Sequence, residues 1–293
     1  MVTFSWRKRR SFRLARTLFL VAALGVTILV FLQLAPQRSA AVKPGVAAAP
    51  APAPAPSSAA PVPDGHTAGL DAAIQGVLAD NNQYQVGVAV RDPDSGALRT
   101  YGVDAPFEAA STAKVLTAVS YYKLVEAGQA SLDDPMGEYT AGFQIREMIQ
   151  DSDNDSWSLL VNAVGLSALE GDAAAMGVAY DSAENTLTPA GMAQILADLY
   201  GGKLLNQEHT QQLLSYMQNT NDEDLIPAAV PAGVAVFHKY GLLDGELHDA
   251  AILSTPARSV VLVIYTKGGD ITDVPERTAI IHEITAAVAK TLT

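Results

Sequence analysis

The sequence predicts an α/β (α+β) protein: a five-stranded antiparallel sheet flanked by helices, with a second lobe built from helices alone. Three observations carry this. An alternating, valine-rich segment and its hairpin partner stand early in the folded region, and three segments with period-two patterning stand near its end. The long stretch between them repeats at helical spacing. Short connections within each group of strands make sequential neighbours antiparallel.

Each element follows in order. GLDAAIQGVLADN (69–81) places its apolar residues at helical intervals. QYQVGVAVRD (83–92) alternates and reads as a strand, DPDSG (92–96) is a turn, and ALRTYGV (97–103) returns as the hairpin partner. Residues 111–127 read as a helix ended by Gly128. QIREMIQ (144–150) is a short helix before the polar corner DSDNDS, and helical spacing resumes from 154 to about 176 with a break near Gly165. Helices are expected near 188–200 and 207–218. VAVFHKYG (234–241), ELHDAAILS (246–254) and SVVLVIYTKG (259–268) read as three strands, and 274–292 as a closing amphipathic helix. The sheet and the helical lobe should meet in a cleft, a common place for a site.

The chain ahead of this domain has a different composition. Residues 1–16 carry Arg7, Lys8, Arg9, Arg10, Arg13 and Arg16 and no acid. TLFLVAALGVTILVFLQLA (17–35) then runs 19 residues without a charge, enough to span roughly 28 Å as a helix. That length favours an uncleaved membrane anchor over a cleavable signal peptide, although SAAV (39–42) offers a weak cleavage site. Basic residues on its N-terminal side put that end in the cytoplasm and the domain outside it. Residues 36–65 hold eight of the 16 prolines and form an extended linker. Residues 66–293 are then the catalytic-sized domain.

Charge and cysteine content exclude several functions. Six of the 19 basic residues fall in the first 16 positions, which leaves 13 against 31 acids over 17–293. A domain that acidic is not expected to bind nucleic acid. With no cysteine there is no disulfide, thiolate metal site or cysteine nucleophile. The histidines at 66, 209, 238, 248 and 282 lack ligand spacing, so no metal and no cofactor are expected.

Three short stretches could carry chemistry. In STAK (111–114), Ser111 and Lys114 share a helix face. A hydroxyl at a helix start lies among free N–H groups, and a lysine flanked by Ala113, Val115 and Leu116 is desolvated enough to accept its proton. The competing reading is a helix cap followed by an ordinary lysine. Chance alone supplies on the order of 0.4 S-x-x-K matches in such a chain, and SYYK (120–123) is a second one. Ser120 falls mid-helix and half a turn away, so Ser111 is preferred. Ser152-Asp153-Asn154 sits in the polar corner, where Ser152 could relay a proton and Asn154 hold a carbonyl, or where both merely start a helix. His238-Lys239-Tyr240-Gly241 ends a strand. Its lysine could attract a carboxylate, and Gly241 admits a substrate close to the backbone; an edge lysine guarding against aggregation is the alternative.

S-x-x-K, S-D-N and K-[T/S]-G in that order resemble the penicillin-recognising serine enzymes, class A β-lactamases in particular, from about residue 66 to the end. The resemblance implies the β-lactamase/transpeptidase-like fold and a set of roles. Ser111 attacks a β-lactam or a peptidoglycan stem peptide and forms an acyl-enzyme, and Lys114 is, or shares the role of, its general base. Ser152 carries the proton to the leaving nitrogen, Asn154 binds the substrate side chain, and Lys239 with Tyr240 meets the substrate carboxylate. The backbone N–H groups of Ser111 and of Leu242, the residue after Gly241, form the oxyanion hole. A monomer is expected.

Two departures stand out. Tyr240 replaces the hydroxyl residue of K-[T/S]-G, which puts its oxygen several ångströms further from the backbone. Only ten residues separate Gly177 from Thr188, too few for the loop that carries the family's deacylation glutamate, and Glu184 is the one acid beside an amide there. His238 is a further candidate with packing as its expected role. The expectation is therefore a membrane-tethered serine hydrolase that acylates and deacylates slowly. A D,D-peptidase or penicillin-binding protein, and a non-catalytic wall-binding module, are the alternatives.

Overall fold

The computed structural model describes residues 65–292. The expected basic tail, apolar segment and proline-rich linker lie outside the described residues, save Gly65, which opens the first helix.

The element order is α1 (Gly65–Asp80), β1 (Gln85–Arg91), β2 (Leu98–Gly102), β3 (Phe107–Glu108), α2 (Lys114–Glu126), β4 (Pro135–Met136), β5 (Tyr139–Thr140), α3 (Ala141–Gln150), α4 (Asn154–Val164), α5 (Leu166–Ala175), β6 (Thr186–Leu187), α6 (Pro189–Tyr200), α7 (Gln207–Tyr216), β7 (Ala235–Leu243), β8 (Glu246–Ser254), β9 (Ser259–Lys267) and α8 (Val274–Ala289). The five long strands form one sheet in the order β2-β1-β9-β8-β7, antiparallel throughout, as the short connections predict. The β7–β8 register runs without a bulge from Ala235↔Ser254 to Leu243↔Glu246.

Both faces of this sheet are buried, which is why β9 reads as a near-continuous apolar run, while β8 buries Glu246, His248 and Asp249 beside its apolar residues. Leu262 and Ile264 on one face pack with Ile74 of α1 and Ile280, Ile281 and Ile284 of α8. Val261, Val263 and Tyr265 on the other face pack with Met192, Ile195 and Leu196 of α6 and with α2. Each fully buried Val, Leu or Ile contributes roughly 1.5–3 kcal/mol, so the two layers together fix the sheet between helices. Helix α2 has nine consecutive buried residues from Lys114 to Tyr122, as expected of a helix surrounded by other elements rather than lying on a surface.

Three features depart from the sequence reading. The helix expected from residue 111 begins at Lys114, and Ser111 lies in a 3₁₀ turn, Ala110–Ala113. β7 is an edge strand, the position read above only as the alternative, yet its Lys239 is buried rather than exposed as an aggregation guard would be. Two ribbons of two-residue strands, β3–β6 and β4–β5, were not expected, because two residues carry no period. The first ribbon matters, since it brings residues 185–187 against the turn that holds Ser111.

Candidate active site

The turn that carries Ser111 is tied down from several sides. Ala110, just before Ser111, is 5% exposed and has φ 47°, a left-handed backbone that a non-glycine residue adopts only when its surroundings insist. Asn185 Nδ2 donates to Ala110 O at 3.0 Å, and Ala109 N donates to Asn185 O at 2.8 Å. Thr112 Oγ1 donates to Ala109 O at 2.7 Å and lies 2.6 Å from the Tyr265 hydroxyl. His248 Nδ1 accepts from Thr266 N at 3.1 Å, which leaves Nε2–H to donate to Glu108 O at 2.9 Å. Burial pushes this imidazole down to about 4, so it stays neutral in that tautomer.

Lys114 follows one turn later and is completely buried. Its Nζ lies 2.6 Å from Ser152 O, 2.7 Å from Asn154 Oδ1 and 3.3 Å from Ser152 Oγ, and sits 5.5 Å from the centre of the Trp157 ring. Burial lowers its pKa to about 8, against the opposing charge of Asp153. A neutral amine still donates two hydrogen bonds, which the two short contacts use, so it would keep a lone pair able to accept a proton. The S-D-N corner is shaped for this arrangement. Asp153 caps α4 by accepting from Ser156 N at 2.6 Å, and Ser152 has φ 56°. Both readings of this corner hold in geometry: Asp153 starts the helix, and its two neighbours, Ser152 and Asn154, contact Lys114.

β7 closes the other side. A Cβ on Gly241 would stand 3.1 Å from Ser111 N, 3.1 Å from Ala110 Cβ and 3.2 Å from Ala109 O, so a side chain here would crowd the Ser111 turn and glycine lets the strand lie close to it. His238 N donates away from the sheet, to Met217 O at 2.8 Å. In an unbroken antiparallel edge strand, residues two apart direct their N–H groups the same way, so those of Tyr240 and Leu242 also point to the open edge. The Leu242 N–H therefore faces the open edge, one residue beyond the glycine that packs against Ser111 N.

Lys239 is fully buried and donates to Tyr240 O at 3.1 Å. Burial, reinforced by the nearby Lys114 charge, lowers its pKa to about 7. Tyr240 turns its hydroxyl to Asn221 Oδ1 at 2.9 Å. Asn221 in turn donates from Nδ2 to Asp151 O at 2.8 Å and from N to Gln150 O at 3.0 Å. The phenol therefore latches β7 to the corner that precedes Ser152. His238 packs inside, with Nδ1 3.0 Å from Asp249 Oδ1 and Nε2 3.1 Å from Thr220 Oγ1 and 3.2 Å from Glu223 Oε1. Burial would lower its pKa, but Asp249 and Glu223 outweigh it and the net shift is upward.

Over residues 69–292 the sequence matches the family described as beta-lactamase enzyme family. The chain belongs to that family. Its fold matches solved members and relatives. A mutant of PBP-A, captured as an acyl-enzyme complex with penicillin G, superposes with a TM-score of 0.70 at 22% identity over 77% of this chain and 96% of that one. A beta-lactamase from Sphaerobacter thermophilus gives 0.67 at 25% identity, over 76% and 96%. An ancestral class A beta-lactamase of Gram-negative bacteria gives 0.70 at 25%, over 76% and 99%. No curated protein is matched by the sequence.

Within this beta-lactamase family fold, Ser111, Lys114, Ser152, Asn154, Lys239, Gly241 and Leu242 converge on one place. Tyr240 reaches the same cleft but is engaged by Asn221, and His238 lies behind the strand in a buried polar cluster. Glu184 is exposed, and its backbone N is held by Asp181 Oδ1 at 3.1 Å in a turn. Among the described residues, no Asp or Glu side chain hydrogen-bonds to Ser111, Lys114 or Ser152. Sequence reasoning missed Asn185, Asn221 and Trp157. Trp157 lies three residues after Asn154 on α4 and so shares its face, a signal available in the sequence. The two asparagines lie in loops whose pairing no local pattern reveals.

Proposed function

We propose that this protein is a serine hydrolase that forms an acyl-enzyme on Ser111 with β-lactams or related D-Ala-D-Ala peptides, and that its hydrolysis of β-lactams is slow. The observation that carries the reading is the fully buried Lys114, one turn from Ser111, lowered to about 8 and hydrogen-bonded to Ser152 and Asn154. Ser111 Oγ attacks the carbonyl carbon as its proton passes to Lys114 Nζ. The developing oxyanion is met by the N–H groups of Ser111 and Leu242. Collapse breaks the C–N bond, and the proton moves from Lys114 through Ser152 Oγ to the leaving nitrogen, leaving the ester on Ser111. Lys239 faces the anionic end of the substrate.

Deacylation needs a base beside an incoming water. Glu184, exposed in its turn, is not anchored for that task, which supports slow release. The same observation favours a D,D-peptidase or penicillin-binding role as the second reading. We further propose that residues 17–35 tether the domain outside the cytoplasm, with 36–65 as spacer. Fluorescent penicillin applied to the purified full-length chain tests the enzymatic reading. It should leave a label that survives denaturation, and Ser111→Ala should leave none. Equal labelling of the variant would overturn the reading.

A further inference from the structure

Resting on the acyl-enzyme reading above, we propose that Asn185 is a positioning residue for acylation: its amide and backbone carbonyl clamp the left-handed turn at Ala109–Ala110 and so fix the Oγ and N–H of Ser111.

The turn cannot hold itself. Ala110 at φ 47° lacks the freedom of glycine and the local hydrogen bonding of asparagine that make this conformation acceptable. What it has is Asn185 on one side and Gly241 of β7 on the other. Asn185 makes two contacts in opposite senses, Nδ2 to Ala110 O at 3.0 Å and O from Ala109 N at 2.8 Å, so it grips successive residues of the turn. Its amide orientation is also set. Tyr180 OH donates to Asn185 Oδ1 at 3.0 Å, and that leaves Nδ2 for the Ala110 carbonyl.

The loop is built to deliver this side chain. Asp181 Oδ1 accepts from Ala183 N at 2.9 Å and from Glu184 N at 3.1 Å, folding residues 181–184 into a tight turn. The turn is closed by Asp181 N to Thr186 O at 3.2 Å and Thr186 N to Asp181 O at 3.0 Å. Asn185 itself sits at φ 50°, a backbone that asparagine tolerates, and Thr186–Leu187 then pair with Phe107–Glu108. The short segment between Gly177 and Thr188 thus applies an amide to the nucleophile turn, while its glutamate, Glu184, faces solvent.

Only an amide meets these demands. Aspartate at 185 would set a carboxylate oxygen against the Ala110 carbonyl, acceptor against acceptor. Glycine would keep the φ 50° backbone and lose the donor.

The test compares Asn185→Gly, Asn185→Asp and Tyr180→Phe with the unaltered chain. It reads the limiting acylation rate constant by penicillin, the apparent binding constant, the melting temperature, and hydrogen exchange of backbone amides. The limiting rate should fall about 30-fold for Asn185→Gly and more for Asn185→Asp, with binding changed less than about 3-fold, since a misplaced nucleophile loses rate rather than affinity. Tyr180→Phe should lose less, on the order of 3- to 10-fold, because the amide is only freed to rotate. Exchange should rise within residues 107–113 and not across the sheet, with the melting temperature nearly constant. An acylation rate within about 2-fold of the unaltered chain, or exchange raised throughout with a large drop in melting temperature, overturns the proposal. If the unaltered chain forms no acyl-enzyme at all, the acyl-enzyme reading fails and the proposal with it. Exchange at 107–113 then reports only whether the turn is clamped.

Discussion

The same four-residue spacing occurs twice around one helix, with opposite outcomes. Ser111 and Lys114 stand where a strained turn gives way to α2, against the S-D-N corner and the open edge of β7. Ser120 and Lys123 lie nine residues further on. Ser120 is 1% exposed with no hydrogen-bond partner for its hydroxyl, and Lys123 pairs with Asp172 at 2.9 Å on the surface of the helical lobe. Spacing puts serine and lysine on one face in both cases. What separates them is everything that arrives from elsewhere in the chain: an acceptor loop that buries the lysine, whose pKa burial lowers to about 8, an asparagine that grips the turn before the serine, and a glycine that lets a strand approach. A buried serine in mid-helix has none of these.

The largest expected effects break the pair that matters. Ser111→Ala should abolish acylation, while Ser120→Ala leaves the rate unchanged, read as label incorporated per minute from fluorescent penicillin. Lys114→Ala should slow acylation by about 10²- to 10⁴-fold, the usual worth of a positioned proton acceptor. Its counterpart Lys123→Ala should change acylation less than about 2-fold and cost stability on the order of 0.2–1 kcal/mol in chemical denaturation, as for other partly exposed ion pairs.

Next in size is Gly241→Ala. The added methyl group must displace Ser111 N or Ala110 Cβ, each 3.1 Å away, and a shift of that kind should lower the acylation rate by about 10- to 100-fold. No glycine plays this part beside Ser120, so the effect sharpens the contrast.

The pH dependence gives a smaller but more diagnostic effect. Lys114 must be neutral to accept the Ser111 proton. With its pKa lowered to about 8 by burial, acylation should climb from about pH 6 and level off above about pH 9. Lys239 must be charged to attract an anion, and its pKa is lowered to about 7, so affinity for carboxylate-bearing substrates should weaken as pH rises through 7. Stopped-flow acylation by a penicillin and by its neutral ester across about pH 6–10 separates the two limbs. The ester should show only the rising limb. The smallest effect belongs to Ser120→Ala on stability. Removing a buried hydroxyl that has no partner should raise the unfolding free energy by about 1 kcal/mol.

Much of this is legible in the sequence because the deciding features are local. Short strand-like runs bounded by turn residues locate all five long strands, and the ordered STAK, SDN and KYG stretches locate residues that the fold brings together. What cannot be read depends on pairing between distant residues. The left-handed Ala110 carries no mark in FEAASTAK, since its conformation is enforced by Asn185 and by β7 rather than by its own side chain. Tyr240 reads as a displaced carboxylate ligand, and its hydroxyl is instead taken by Asn221, whose own loop is fixed by Gln150 and Asp151. The start of α2 is shifted by three residues for the same reason. Tertiary contacts, not helix propensity, decide where the turn ends.

On the proposed mechanism, Ser111 takes an acyl group that leaves slowly. Intact mass spectrometry of the full-length chain after mixing with penicillin, followed by peptide mapping, tests it directly. A single adduct with the mass of the whole penicillin, mapped to Ser111 and lasting for minutes or longer, is the predicted result. Product formed at many turnovers per second with no adduct, or an adduct on any other residue, would contradict it.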